Sequence, residues 1–304
     1  MPIRDVAVLG LGSMGSGMAA RLLEAGFGIT VWNRTAARAA PLAEKGAVIG
    51  GSAAEAAAGA EVVLLSLADE SAVEEVVFGQ ALPAARPGTL IVDTSTVSPA
   101  YSRRATRRIA AAGARRVEAC VLGNPLLARS GGLRVLVAGD EPDVRRARPV
   151  LEALGREIYE LGQAGRAAAM KLAFNLLLGA QLASLAEAVS YGESAGLDRD
   201  LLLTAIAESG FSSMVMSFRA ELMRERRYTP PAFRSRLMEK DLRLVLGEAA
   251  LANLRLPITE SAADQFAELV GQGAGDRDAA AVCELFTSPQ VTAPAGRDTG
   301  PARS

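Results

Sequence analysis

The chain has 304 residues, half of them apolar and 22% charged, and its 33 Lys plus Arg against 34 Asp plus Glu leave a formal net charge of -1. That is enough chain for two domains, each with its own core. It lacks both the basic excess that gripping phosphate backbones requires and the low hydrophobicity of a disordered chain. The absence of histidine excludes Ser-His-Asp and Cys-His nucleophile systems and histidine-bearing metal sites, so no metal is expected.

Other counts narrow the chemistry further. Cys120 and Cys283 are too few for a disulfide framework or a four-thiolate zinc site, which fits a reducing compartment and leads us to expect a cytoplasmic protein. Of the basic residues only Lys45, Lys171 and Lys240 are lysine. Arg is a fixed cation, whereas burial and neighbours can tune a Lys into an acid or base, so each lysine is a candidate for proton transfer. The longest uncharged stretches, 6-20 and 172-186, fall short of the roughly 18 residues of a membrane span. The N-terminal MPIRD lacks the pattern of a signal peptide. Neither a membrane nor a nucleic acid is expected as a partner.

In chain order, DVAVLG reads as a strand, followed by a helix to about Gly26, the strand ITVWN, a helix over 35-45, the strand EVVLLSL, a helix over 70-78 and the strand TLIVDTS. Two more strands, RRVEACV and LRVLVAG, bracket a loop at 122-132, and EIYEL closes the series near Leu161. Short apolar runs without alternation are what a parallel sheet covered on both faces requires, so residues 1-163 predict a doubly wound domain. Residues 164-287 predict an all-α domain, broken at Gly196, Gly210, Pro230-Pro231, Pro257 and the GQGAGD turn, giving an α/β fold class overall. Its first segment, from about 166 to 194, is apolar on nearly every side, as expected of a helix buried in a core or between copies of a homo-oligomer. The Pro/Gly-rich tail 288-304 predicts disorder.

The loop GLGSMG, with Gly10, Gly12, Ser13, Met14 and Gly15, lies between the first strand and the first helix. There the first glycine permits a tight turn, the second lets a pyrophosphate approach the backbone, and the third lets helix pack on sheet. About 20 residues on, where an NAD site offers a carboxylate to the ribose, the chain offers Asn33, Arg34 and Thr35. A guanidinium pairs with a 2'-phosphate, so the cofactor expected is NADPH.

In MKLAFN, Lys171 and Asn175 are four residues apart and share one face of the apolar helix, with Gly179 continuing it. An apolar helix does not bury an ammonium and an amide without cost, which makes the pair candidates for catalysis in the interdomain cleft.

These residues resemble the β-hydroxyacid dehydrogenase superfamily, in particular its NADPH-dependent glyoxylate/succinic semialdehyde reductase branch. The similarity runs through GLGSMGSGMA at 10-19, VWNRT at 31-35, VDTSTVSP at 92-99, GQAGRAAAMKLAFNLLLG at 162-179, YTPPAF at 228-233, KDLRLVLGEA at 240-249 and GAGDRDAAAV at 273-282. The resemblance implies an active site between a Rossmann domain and a helical domain joined by a long helix. It implies that Lys171 is the catalytic acid/base and Asn175 its partner. By the same resemblance, Lys240 approaches the nicotinamide cofactor, and Ser95 and Thr96 lie beside the nicotinamide. The substrate is then a small aldehyde or keto compound. One segment departs from the family pattern: EACVLGNPLLARSGG at 118-132 keeps Gly123 but places Leu122 where the family has a serine and Asn124 in a less polar loop. Losing that hydroxyl favours a bulkier or less charged carbonyl, or an imine as the imine reductases reduce. A non-catalytic dinucleotide-binding protein is the alternative from another class, and the retained Lys171 counts against it.

Overall fold

The structure, a computed structural model, describes residues 3-286, so the tail for which disorder is expected lies outside the described residues. Eight strands form one sheet: β1 (Asp5–Leu9), β2 (Gly28–Trp32), β3 (Val48–Ile49), β4 (Val62–Leu65), β5 (Leu90–Asp93), β6 (Arg115–Leu122), β7 (Leu133–Ala138) and β8 (Gly155–Glu160). Their order is β3-β2-β1-β4-β5-β6-β7-β8, with every neighbouring pair parallel except β6 and β7. The order reverses at β1, which opens a crevice between β1 and β4 at the carboxyl ends of the strands.

The unbroken apolar runs are explained by burial on both faces. Every residue of β4 and β5 is buried, and side chains alternate between two cores. Val6, Val8, Val62, Leu64, Leu90 and Val92 face one core, while Ala7, Leu9, Val63, Leu65 and Ile91 face the other. This is the period of two that a pleated strand imposes.

Three expected elements differ. The helix expected over 35-45 is two short pieces, Ala36–Arg38 and Ala40–Ala43, because Pro41 lacks an N–H and restarts the helix at its own first turn. The segment expected to be a loop at 122-132 holds a helix, Pro125–Ser130. Asn124 caps it by accepting from the Leu127 N–H at 3.0 Å, and Gly131 ends it in the left-handed region at φ 73°. The helix expected over 70-78 starts at Glu70 under an Asp69 cap and continues in π-helical form over Glu74–Ala81.

Beyond β8 the described chain is helical: Arg166–Ser194, Arg199–Glu208, Met214–Arg224, Ser235–Leu251 and Pro257–Leu269, then short turns to Phe286. The 29-residue helix Arg166–Ser194 is long and apolar enough to cross a membrane. Part of that apolar surface is packed within the chain, toward both ends of the helix. Ala167 joins Cys120, Leu136 and Ala138 of the sheet, and Leu182, Leu185, Ala186 and Val189 join the core around Phe266 and Met238. The helix is therefore the beam that ties the two domains together.

Candidate active site

The crevice begins at the glycine loop. Gly10 sits at φ +98°, and a Cβ there would lie 2.3 Å from the Ser66 carbonyl oxygen, while one on Gly15 would lie 2.0 Å from the Gly10 carbonyl oxygen. Those two glycines are required by the protein's own backbone. Gly12 is different: it has an ordinary φ of -68°, and a Cβ there would meet nothing within 4 Å. The bare Gly12 therefore faces open space at the N-terminus of the helix Ser13–Glu24, where no side chain caps and no acid stands in the first turn. A helix N-terminus left uncapped beside open space suits an anionic pyrophosphate, so these residues fit a nicotinamide dinucleotide.

The tip of β2 is bonded to this loop. The Asn33 Oδ1 accepts from the Leu11 N–H at 2.9 Å, and its Nδ2 donates to the Thr35 carbonyl at 3.0 Å. Asn33 thus uses its amide to hold the loop in shape. Arg34 is largely exposed and stands 3.9 Å from Glu75.

One cavity of about 370 Å³ joins these features to the helical domain. Of the residues expected from sequence, Gly10, Gly12, Ser13, Met14, Asn33, Arg34, Thr35, Thr96, Gly123, Lys171 and Lys240 line it. Gly15, Ser95, Leu122, Asn124 and Asn175 do not, and each has another task. Ser95 is buried, with its Oγ accepting from the Leu67 N–H at 3.1 Å, so it braces one loop against another. Leu122 packs with the cluster around Cys120, Leu136 and Ala167, and Asn124 is occupied as a helix cap.

At the inner end of the cavity Lys171, Lys240 and Asp241 come together. Asp241 is 2% exposed and takes a hydrogen bond from the Asn175 amide and an ion pair at 2.9 Å from the Lys240 ammonium. Lys240 also donates to the Thr96 carbonyl at 2.6 Å, joining the helical domain to the loop after β5. No hydrogen bond from the Lys171 ammonium occurs among the described residues. Burial holds Lys171 below the ordinary lysine range; Asp241 opposes that shift, and the like charge of Lys240 adds to it. The Cys120 thiol behind it is pushed up to about 12, chiefly by burial, and is no nucleophile at neutral pH. The arrangement offers a tunable ammonium with free donors, backed by a fixed carboxylate, beside a dinucleotide groove.

Asp241, Arg38 and Phe233 line the cavity without having been singled out from sequence. A signal for Asp241 was present: Met238, Asp241, Leu242, Val245 and Ala249 form the buried stripe of their helix, and a carboxylate in such a stripe needs a polar partner. Arg38 is placed by the short helical piece after β2, and Phe233 by the loop before the helix Ser235–Leu251.

A doubly wound sheet with this glycine loop, whose crevice closes against a lysine of a following helical domain, defines a nicotinamide-dinucleotide-dependent oxidoreductase. Comparison with known proteins agrees. Residues 5-162 match the NAD binding domain of 6-phosphogluconate dehydrogenase, and residues 165-286 match the NAD-binding domain of NADP-dependent 3-hydroxyisobutyrate dehydrogenase. The chain is 34% identical over 284 residues to glyoxylate/succinic semialdehyde reductase 2 of Arabidopsis thaliana, covering 93% of this chain and 79% of that one. The crystal structure of 3-hydroxyisobutyrate dehydrogenase from Salmonella typhimurium superposes with a TM-score of 0.87 at 27% identity, covering 93% of this chain and all of that one. An imine reductase of Streptomyces aurantiacus superposes with a TM-score of 0.59 at 25% identity, over 94% of this chain and all of that one. The chain belongs to the β-hydroxyacid dehydrogenase family.

Proposed function

We propose that the protein reduces a small aldehyde or keto compound with NADPH. The observation that carries this reading is the Lys171 ammonium, free of hydrogen-bond partners among the described residues and lining the same cavity as the glycine loop. Bound NADPH would supply hydride to the carbonyl carbon. Lys171 then donates a hydrogen bond, and finally a proton, to the oxygen on which negative charge develops. Asp241, held by Asn175 and Lys240, stands near that ammonium and favours its charged form.

Support for NADPH over NADH comes from the rim beyond β2. Arg34, Thr35 and Arg38 line the cavity there, and its acid, Glu75, faces Arg34. A 2'-phosphate would find two guanidinium groups, and Arg34 can leave a solvent-screened pair to meet it. Support for a substrate that is not a compact carboxylate comes from the 122-124 segment. Leu122 brings no hydroxyl, and the Asn124 side-chain oxygen is committed to its helix.

The test is consumption of NADPH and NADH in parallel with glyoxylate, succinic semialdehyde, bulkier aldehydes and a cyclic imine. Turnover of carbonyl compounds with NADPH, and loss of the preference over NADH in Arg34→Ala, is the expected result. Turnover of the imine alone would transfer the protein to the imine-reducing reading, and binding without turnover of any compound would favour a non-catalytic role.

A further inference from the structure

The helix that carries Lys171 starts in an unusual way. Gly165 precedes it in the left-handed region at φ 94°, no side chain of its own segment caps it, and its first turn holds no acid. A carboxylate from the other domain takes that place. Glu118, on β6, accepts from the Gly165 N–H through Oε1 and from the Ala168 N–H through Oε2 at 3.3 Å. The Ser102 hydroxyl donates to the same Oε1 at 2.6 Å, and Arg116 stands 3.7 Å from it.

The connection continues toward the nicotinamide side of the crevice. Arg116 donates to Asp93 Oδ2 at 2.8 Å, and Asp93 Oδ1 accepts from the Ser95 N–H at 3.0 Å, one residue before the cavity-lining Thr96. Asp93, Ser102, Arg116 and Glu118 are all under 5% exposed. Two carboxylates meet one guanidinium, and the positive end of the long helix complements the excess negative charge. One buried polar chain thus runs from the loop after β5 to the first turn of the helix, and Lys171 follows Gly165 by six residues, roughly 9 Å along the axis.

We propose that Glu118 is a positioning residue for the reaction. By capping the long helix from across the domain boundary, it sets the rotation and height of Lys171 relative to the loop that carries Thr96. A buried ion cluster by itself is weak support for stability, since its desolvation offsets its attraction. Two N–H bonds into the first turn of the catalytic helix give this cluster a geometric role. The inference rests on Lys171 being the proton donor proposed above.

The experiment compares the full-length protein with Glu118→Gln, which keeps the shape but removes the charge, and with Glu118→Asp, which keeps the charge one methylene short. Hydrogen exchange over 163-172, NADPH affinity, kcat, and the isotope effect with NADPH deuterated at the transferred position are measured on each. For Glu118→Gln the expected result is faster exchange in the first turn, NADPH affinity within about threefold, and kcat down by about tenfold or more with a larger isotope effect, because a displacement near 1 Å slows transfer that strongly. Glu118→Asp is expected to fall between. A purely structural cap would lower the melting temperature but leave the isotope effect and kcat per folded molecule unchanged, and that result overturns the proposal. If Glu118→Gln does not fold, Ser102→Ala, which removes one donor to Oε1, is judged by the same criteria with a smaller shift. If the unmodified protein reduces no carbonyl compound, the Lys171 assignment fails on its own account. The positioning claim is then judged by amine-directed labelling of Lys171, and equal rates in parent and variant overturn it.

Discussion

Replacing Gly12 with alanine separates what the glycine loop does for the fold from what it does for a ligand. Gly12 has φ -68° and ψ -176°, which any residue adopts, and its added methyl would meet no protein atom within 4 Å. The unliganded protein should therefore keep its stability to within about 0.5 kcal/mol. The methyl would occupy the space through which a pyrophosphate reaches the helix N-terminus. Losing one charge-assisted hydrogen bond there removes about 1.5-3 kcal/mol, or about 10- to 150-fold in Kd. Gly15→Ala should behave in the opposite way, because its Cβ would lie 2.0 Å from the Gly10 carbonyl oxygen, which cannot move without breaking the turn. It should lower the melting temperature before any ligand is added. The single tryptophan, Trp32, lines the cavity, so quenching of its emission by NADPH reports binding while thermal melts report stability. Unchanged NADPH affinity in Gly12→Ala, or a fold that tolerates alanine at 15 but not at 12, would refute this account of the loop.

Lys171→Met, similar in length but uncharged, should lower turnover by about 10²- to 10⁴-fold, the usual contribution of a general acid, with NADPH binding retained. In the parent, kcat/KM for carbonyl reduction should fall as pH rises through the lowered Lys171 pKa, earlier than an ordinary lysine would titrate. The sign for stability is opposite. Between the folded and unfolded pKa values the unfolded chain binds more protons, so stability rises with pH, and the penalty of a buried ammonium is greatest below the folded value. Lys171→Met should thus melt higher than the parent near neutral pH, with the gap closing in alkaline buffer; a lower melting temperature at every pH would contradict burial as the cause. On the helical domain, Phe174 and Leu177 share one exposed face of the long helix, and Met214, Val215 and Phe218 share another on theirs. We expect a second copy of the chain to cover such surface, and sedimentation as a monomer at micromolar concentration would refute it.

The Rossmann half was legible because its rules are local. Strand burial shows in apolar runs such as Val62–Leu65, and the glycine spacing encodes a turn that backbone sterics enforce at Gly10 and Gly15. The helix Pro125–Ser130 was equally local, with Asn124-Pro125 to start it and Gly131 to end it, and was missed because its capping signals sit in a stretch with no apolar periodicity. The two-residue β3 has no pattern to read, since both of its side chains are exposed.

Lys171 and Asn175 stood out as polar groups on one face of an apolar helix, a conflict visible within about one turn of chain. Their partners were not visible, because a sequence reports spacing along an element and not which distant groups meet across it. Asn175 bonds Asp241, 66 residues away, Lys240 reaches Thr96 across 144, and Glu118 caps a helix 47 residues downstream. Such contacts exist only after packing has set the long helix against the helix Ser235–Leu251 and has brought β6 and the loop after β5 beside the helical domain. There a buried charge must find its partner in whichever segment packing delivers, because water is no longer available to solvate it.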